Sequence, residues 1–154
     1  MTLHIVERPT ITVMGLHIQT QPMSPDIPSL WPRFMGRVDE IGRRTEPQVT
    51  YGVMRSDPAD MSRLDYWAAV AVPPNQRAPA GMESVVLPNA HYAFFRYPLA
   101  ELGAGYGEIF GTLLPGSNYV QVPGPMFERY NEAFEPDDPQ SVVEIYLPVQ
   151  RKAS

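Results

Sequence analysis

Apolar residues along the chain recur either on alternate positions or at helical spacing, and the change from one period to the other divides it into elements. Residues 10–19 predict a strand, with Ile11 and Val13 offset from Met14, Leu16 and Ile18. A proline-rich loop at 22–28 leads into a helix predicted from a Ser29 cap to about Arg44. Its evidence is a single stripe of Leu30, Phe34, Val38 and Ile41, with Pro32 placed in the tolerant first turn. Strands are predicted at 49–55 and 64–72, separated by a turn at Ser56-Asp57-Pro58 and closed by Pro73-Pro74. The run 75–81 is a connector.

The second half repeats that order. Residues 85–87 and 91–97 are strand-like, and a helix follows across 99–114 with Leu102, Tyr106, Ile109, Phe110 and Leu113 on its buried face. Gly103, Gly105 and Gly107 weaken its propensity and indicate close helix packing or a flexible helix start. Residues 119–122 and 126–130 flank Pro123-Gly124-Pro125, which predicts a kinked or broken strand. After a turn at Asp137-Asp138-Pro139, residues 142–149 form the last strand. The expectation is one α+β domain over 1–154, built from two β-α-β-β pseudo-repeats at about 6–74 and 82–150. Its antiparallel sheet carries both helices on one face and a ligand cleft on the other.

Alternation also sorts the polar residues. In the last strand Val143, Ile145, Leu147 and Val149 point one way, leaving Glu144 and Tyr146 on the opposite face. Met126, Glu128 and Tyr130 give a similar pairing, and Tyr66 shares a face with Ala68 while Trp67 takes the other. Exposed sheet residues making ordinary cross-strand contacts are the plain reading of such pairs. Two Glu/Tyr pairs in neighbouring segments also make a platform for flat cations, because aromatic faces and a carboxylate both attract positive charge. Trp31 lies beside the first helix stripe, at the edge of the core or as a pocket wall.

Composition narrows the function classes. The 154 residues are 44% hydrophobic and 19% charged, as in an ordinary folded domain. Cysteine is absent, which removes disulfides, thiolate metal sites and a cysteine nucleophile. Seventeen acidic against twelve basic residues leave a net charge of −5 and no basic stripe for nucleic acid. No signal peptide or membrane span is visible, so a cytoplasmic protein is expected. His4, His17 and His91 are scattered, and no nucleophile elbow occurs. No cofactor or metal is implied.

The chain resembles the GyrI-like, or AraC-type effector-binding, domain family, which includes drug-sensing ligand domains of the BmrR type. The resemblance is carried by Ile27-Pro28-Ser29-Leu30-Trp31 with Phe34, Tyr51-Gly52-Val53, Asp65-Tyr66-Trp67 and residues 88–95. It continues through Phe127-Glu128-Arg129-Tyr130 and residues 144–149. It implies a duplicated fold whose cleft takes a small organic, cationic and amphipathic ligand. By motif position Glu144 or Glu128 would meet the ligand charge, with Trp31, Tyr66, Trp67, Phe127 and Tyr146 as aromatic walls. Many relatives carry a helix-turn-helix module, for which this sequence has no room, so a stand-alone binding protein, monomeric and acting alone or through a partner protein, is expected. Two alternatives remain open: a small hydrolase of reactive cyclopropane-type compounds using the same Glu and Tyr types, and a gyrase-inhibitor-like protein-binding module.

Overall fold

In the computed structural model, residues 3–57 and 59–153 are described. Nine strands and two helices follow one another among them. The first half comprises β1 (His4–Arg8), β2 (Ile11–Thr20), α1 (Asp26–Met35), β3 (Thr50–Asp57) and β4 (Asp60–Val72). The second comprises β5 (Glu83–Leu87), β6 (Ala90–Pro98), α2 (Leu102–Glu108), β7 (Tyr119–Gln121), β8 (Met126–Tyr130) and β9 (Val142–Arg151). Strand β1 falls in a stretch for which no element was expected. The expected turn at Ser56-Asp57-Pro58 lies partly outside the described residues.

All pairings are antiparallel, in the order β1-β6-β9-β8-β3-β4-β2-β5, with β7 also on β9. Strands β8 and β7 lie along different lengths of β9, so the segment around Pro123-Gly124-Pro125 is a broken strand, as its prolines require. The sheet curls. Val13 and Leu87 from one end share a buried cluster with Tyr92 from the other, and Val6 and Phe94 pack against it. Asn89, between β5 and β6, donates to the Arg8 carbonyl (2.6 Å) and holds the two ends together.

Both helices cover one face. Ala68, Gly52, Glu128 and Ile145 are successive cross-strand partners and therefore share that face. Ala68 lies in the cluster under α1, and Ile145 in the cluster under α2. The predicted stripe Leu30, Phe34, Val38 and Ile41 is buried throughout. The helix itself is shorter than 29–44 and starts earlier, at Asp26. It ends at Met35 before Gly36, and Val38 enters through a separate 3-10 turn at Val38–Glu40. Ser29 does not cap it; its hydroxyl bonds back to the Pro25 carbonyl instead (2.8 Å).

The second helical stretch also departs from a regular 99–114 helix. A 3-10 turn at Leu99–Glu101 opens it, and a π turn at Ile109–Leu113 closes it, with Leu114 N bonded to the Ile109 carbonyl at 2.8 Å. The wider turn rotates the stripe, so Phe110, expected inside, is 43% exposed. Gly105 brings α2 onto the sheet: a Cβ there would stand 2.7 Å from the Tyr97 ring. Gly105→Ala is therefore expected to lower unfolding free energy by about 1–3 kcal/mol, read as a lower urea midpoint.

Candidate functional site

The register between β8 and β9 decides where the two glutamates go. Arg129 is paired with Glu144 and Phe127 with Tyr146, whereas Glu128 is paired with Ile145. Glu128 and Glu144 therefore lie on opposite faces of the sheet. The seven candidate residues divide accordingly. Glu128, Trp31 and Tyr66 meet on the helix-covered face, in the space between α1 and α2. Glu144, Tyr146, Phe127 and Trp67 lie on the other face, where a single cleft for all seven was expected.

On the helix side, Glu128 is 7% exposed. The Tyr106 hydroxyl, from α2, donates to its Oε2 at 2.5 Å, and the Tyr130 hydroxyl donates to its Oε1. Trp31, from α1, donates its indole N–H to the Tyr66 oxygen at 2.8 Å, and the Tyr66 and Tyr130 hydroxyls also meet. The Trp31 and Tyr130 rings stand edge to face at 5.5 Å, and Phe134 packs against Tyr130 at 4.8 Å. Gly52 makes room for this ring of phenols, since a Cβ there would meet the Tyr66 oxygen at 2.6 Å.

No Lys, Arg or His among the described residues forms an ion pair with Glu128. Burial is the largest influence on its carboxyl and raises its pKa above the ordinary 4.5, although the two phenol hydrogen bonds pull the other way. Burial also raises the pKa values of Tyr106, Tyr130 and Tyr66, and the nearby Glu128 charge adds to the effect. All three phenols stay protonated and able to donate.

The opposite face is electrostatically complete at its acid. Glu144 is 5% exposed. It accepts from Arg129 Nη1 (3.1 Å), Asn131 Nδ2 (3.0 Å) and the Tyr146 hydroxyl (3.3 Å). Arg129 also reaches Glu46 Oε2 at 2.7 Å, and the Tyr51 hydroxyl donates to Glu46 Oε1 at 2.5 Å. Burial is the largest influence on Tyr146, and with the neighbouring Glu144 charge it raises that phenol to about 12. Its ring stacks on Phe127 at 4.8 Å, while Trp67 stacks on His17 at 4.4 Å.

Two shallow surface depressions, about 150 and 420 Å³, lie elsewhere and contain no aromatic residue. Neither depression is lined by Glu128 or by the rings around it. Among the described residues, no group of three or more acidic or histidine side chains is placed to hold a metal, and no helix is long and apolar enough to cross a membrane.

A model of the GyrI-like small molecule binding domain matches residues 1–150. The chain belongs to that family. This GyrI-like domain is 30% identical over 152 residues to the transcriptional regulator BrlR of Pseudomonas aeruginosa, covering 97% of this chain. It spans 56% of that regulator's length. Among solved structures, SAV2435 bound to tetraphenylphosphonium superposes with a TM-score of 0.76 at 17% identity, covering 97% of this chain and 94% of that one. The EcmrR C-terminal domain gives 0.73 at 16% identity, with 98% of each chain covered. At these identities the likeness establishes the fold.

Alternation sets Tyr130 on the face of Glu128, whereas the helical stripe gives Tyr106 a packing role alone. Tyr106 arrives from a helix with no local link to β8, and no spacing signal connects the two. Gly52 carries no local signal of its use, which follows from β4 placing the Tyr66 hydroxyl above it.

Proposed function

We propose that this GyrI-like domain binds lipophilic organic cations between α1 and α2, with Glu128 as the counter-charge. One observation carries the reading: Glu128 is a buried carboxyl surrounded by phenols and matched to no cation among the described residues. A buried acid without a partner is costly, and a bound cation would remove that cost. Glu144 has no such need, because Arg129 already neutralises it. Trp31, Tyr66, Tyr106 and Tyr130 supply ring faces and edges that suit a desolvated cation, at about 2 kcal/mol for a good contact. Trp31, Tyr106 and Tyr130 are each partly exposed, so a ligand reaches the acid by displacing rings at the surface.

The tetraphenylphosphonium held by SAV2435 supports this ligand class. The strand order supports the two pseudo-repeats at about 6–74 and 82–150, since β2, β4 and β3 lie beside one another as β6, β9 and β8 do. On that reading α1 and α2 are equivalent helices, and the acid lies near the seam between the repeats.

Charge-inverted twins test the proposal. Tetraphenylphosphonium and tetraphenylborate share shape and apolar area but carry opposite charge. Titration followed by Trp31 fluorescence in Trp67→Phe protein is expected to give saturable quenching with the phosphonium and none with the borate over the same range. Equal responses would leave only a hydrophobic surface and would reject Glu128 as a charge partner.

A further inference from the structure

The face opposite the helices carries a guanidinium with an unsatisfied donor. Arg8 ends β1, and its guanidinium carbon lies 4.8 Å from the Tyr146 ring centre and 5.4 Å from that of Phe127. Its Nη1 is buried without a hydrogen-bond partner, and Arg8 forms no ion pair among the described residues. The two carboxylates of this network, Glu46 and Glu144, both bond to Arg129, and Glu46 also feels the Arg8 charge without bonding to it.

A second donor on the same face is also unpaired. Trp67 is 4% exposed and its Nε1 has no partner. Cross-strand pairing sets it in one row with Val53, Phe127, Tyr146 and Phe94. His17, at one end of that row, spends both ring nitrogens on Asp65 (2.8 Å) and Glu83 (2.6 Å). At the other end Phe94 and Arg8 are partly exposed, so the row opens to solvent along β1. Beside the stacked rings, an open guanidinium N–H and an open indole N–H both lack an acceptor. Buried polar groups are ordinarily satisfied, and a charged donor gains most from an anion.

We propose that this face is a second binding site, selective for planar aromatic carboxylates. Arg8 takes the carboxylate, the ring row takes the aromatic body, and Trp67 Nε1 donates to an acceptor on it. The site is independent of the cation site, from which the sheet itself separates it.

The probes are 6-hydroxy-2-naphthoate, whose hydroxyl oxygen offers Trp67 an acceptor, and its neutral amide analogue (hereafter naphthoate and naphthamide). In Trp31→Phe protein Trp67 is the sole remaining tryptophan and reports this face alone; calorimetry on the unaltered chain runs in parallel. Naphthoate is expected to quench Trp67 saturably and to bind about tenfold or more tighter than naphthamide. Arg8→Gln should weaken naphthoate by a similar factor, Arg8→Lys should retain part of the affinity, and Glu128→Gln should leave it unchanged. If Arg8→Gln fails to fold by near-ultraviolet circular dichroism, the Lys variant and the naphthoate–naphthamide contrast decide. Absent saturation, equal binding of the two probes, or binding indifferent to Arg8 would overturn the proposal and leave ordered water on both donors. Because the cation twins report on Glu128, failure of either site is visible without the other.

Discussion

Glu128→Gln is expected to weaken tetraphenylphosphonium binding by about 30-fold or more while leaving the unliganded domain folded. Removing one member of a buried charge pair typically costs about 2–5 kcal/mol, and 1.4 kcal/mol is tenfold in affinity. Glutamine keeps a carbonyl oxygen for one of the Tyr106 and Tyr130 hydroxyls and donates its amide N–H to the oxygen of the other, so the change removes the charge with little change in volume. The pH dependence follows from the direction of the Glu128 shift. Its folded pKa is above the ordinary 4.5, so the free domain holds this proton where the unfolded chain has lost it. Between 4.5 and the raised value the folded state binds more protons, and the Glu128 contribution to stability is lost as pH rises through that window. Cation binding has the opposite slope. It needs the ionised form, so affinity rises with pH up to the raised value and then levels off. A proton is released on binding within the window, which calorimetry in buffers of different ionisation enthalpy would detect. Glu128→Gln should abolish both slopes; a variant that binds the phosphonium as tightly as the parent would place the counter-charge elsewhere.

Strand alternation alone leaves Glu128 and Glu144 equivalent. Alternation within a strand is a local rule, and it correctly set Glu144 and Tyr146 away from Val143, Ile145 and Leu147. It also placed Tyr66 and Trp67 on opposite faces, as their two clusters are. What alternation cannot supply is the register between two strands, and a slip of one residue reverses every face. With Arg129 opposite Glu144, Glu128 turns under the helices; a register with Glu128 opposite Glu144 would have gathered both acids in one cleft. The stripe of α1 was legible because Leu30, Phe34, Val38 and Ile41 all reach the core even though the helix stops at Met35. The π turn was not, because Phe110 fits a regular helical period and only the added backbone residue moves it outward. Strand β1 is short, with intermediate burial at Ile5, Val6 and Arg8, and owes its place to pairing with β6.

Arg129→Met is expected to produce the largest loss of stability among these changes, about 3 kcal/mol, measured by urea denaturation. The variant leaves Glu144 at 5% exposure without its cation, and breaking one side of a buried pair costs about 3–5 kcal/mol. The lower end applies because the Arg129 and Glu46 side chains keep 19% and 29% of their exposure. Adding Glu144→Gln should recover part of the loss, and the double-mutant cycle isolates the pair from the contacts of the arginine stem. A pH signature accompanies it. Burial pushes the Glu46 carboxyl up, but the Tyr51 hydroxyl, the Arg129 bond and charge and the Arg8 charge together outweigh burial and hold it below 4.5. A depressed carboxyl contributes stability that is present above 4.5 and disappears as pH falls through its folded value. Arg129→Met should flatten that acid limb. The same measurement bears on which glutamate awaits a ligand. If Arg129→Met costs less than about 1 kcal/mol, as for an exposed ion pair, Glu144 is not neutralised in the sense required here. The electrostatic reason for assigning the cation to Glu128 rather than Glu144 would then fail, whatever the binding data for Glu128→Gln.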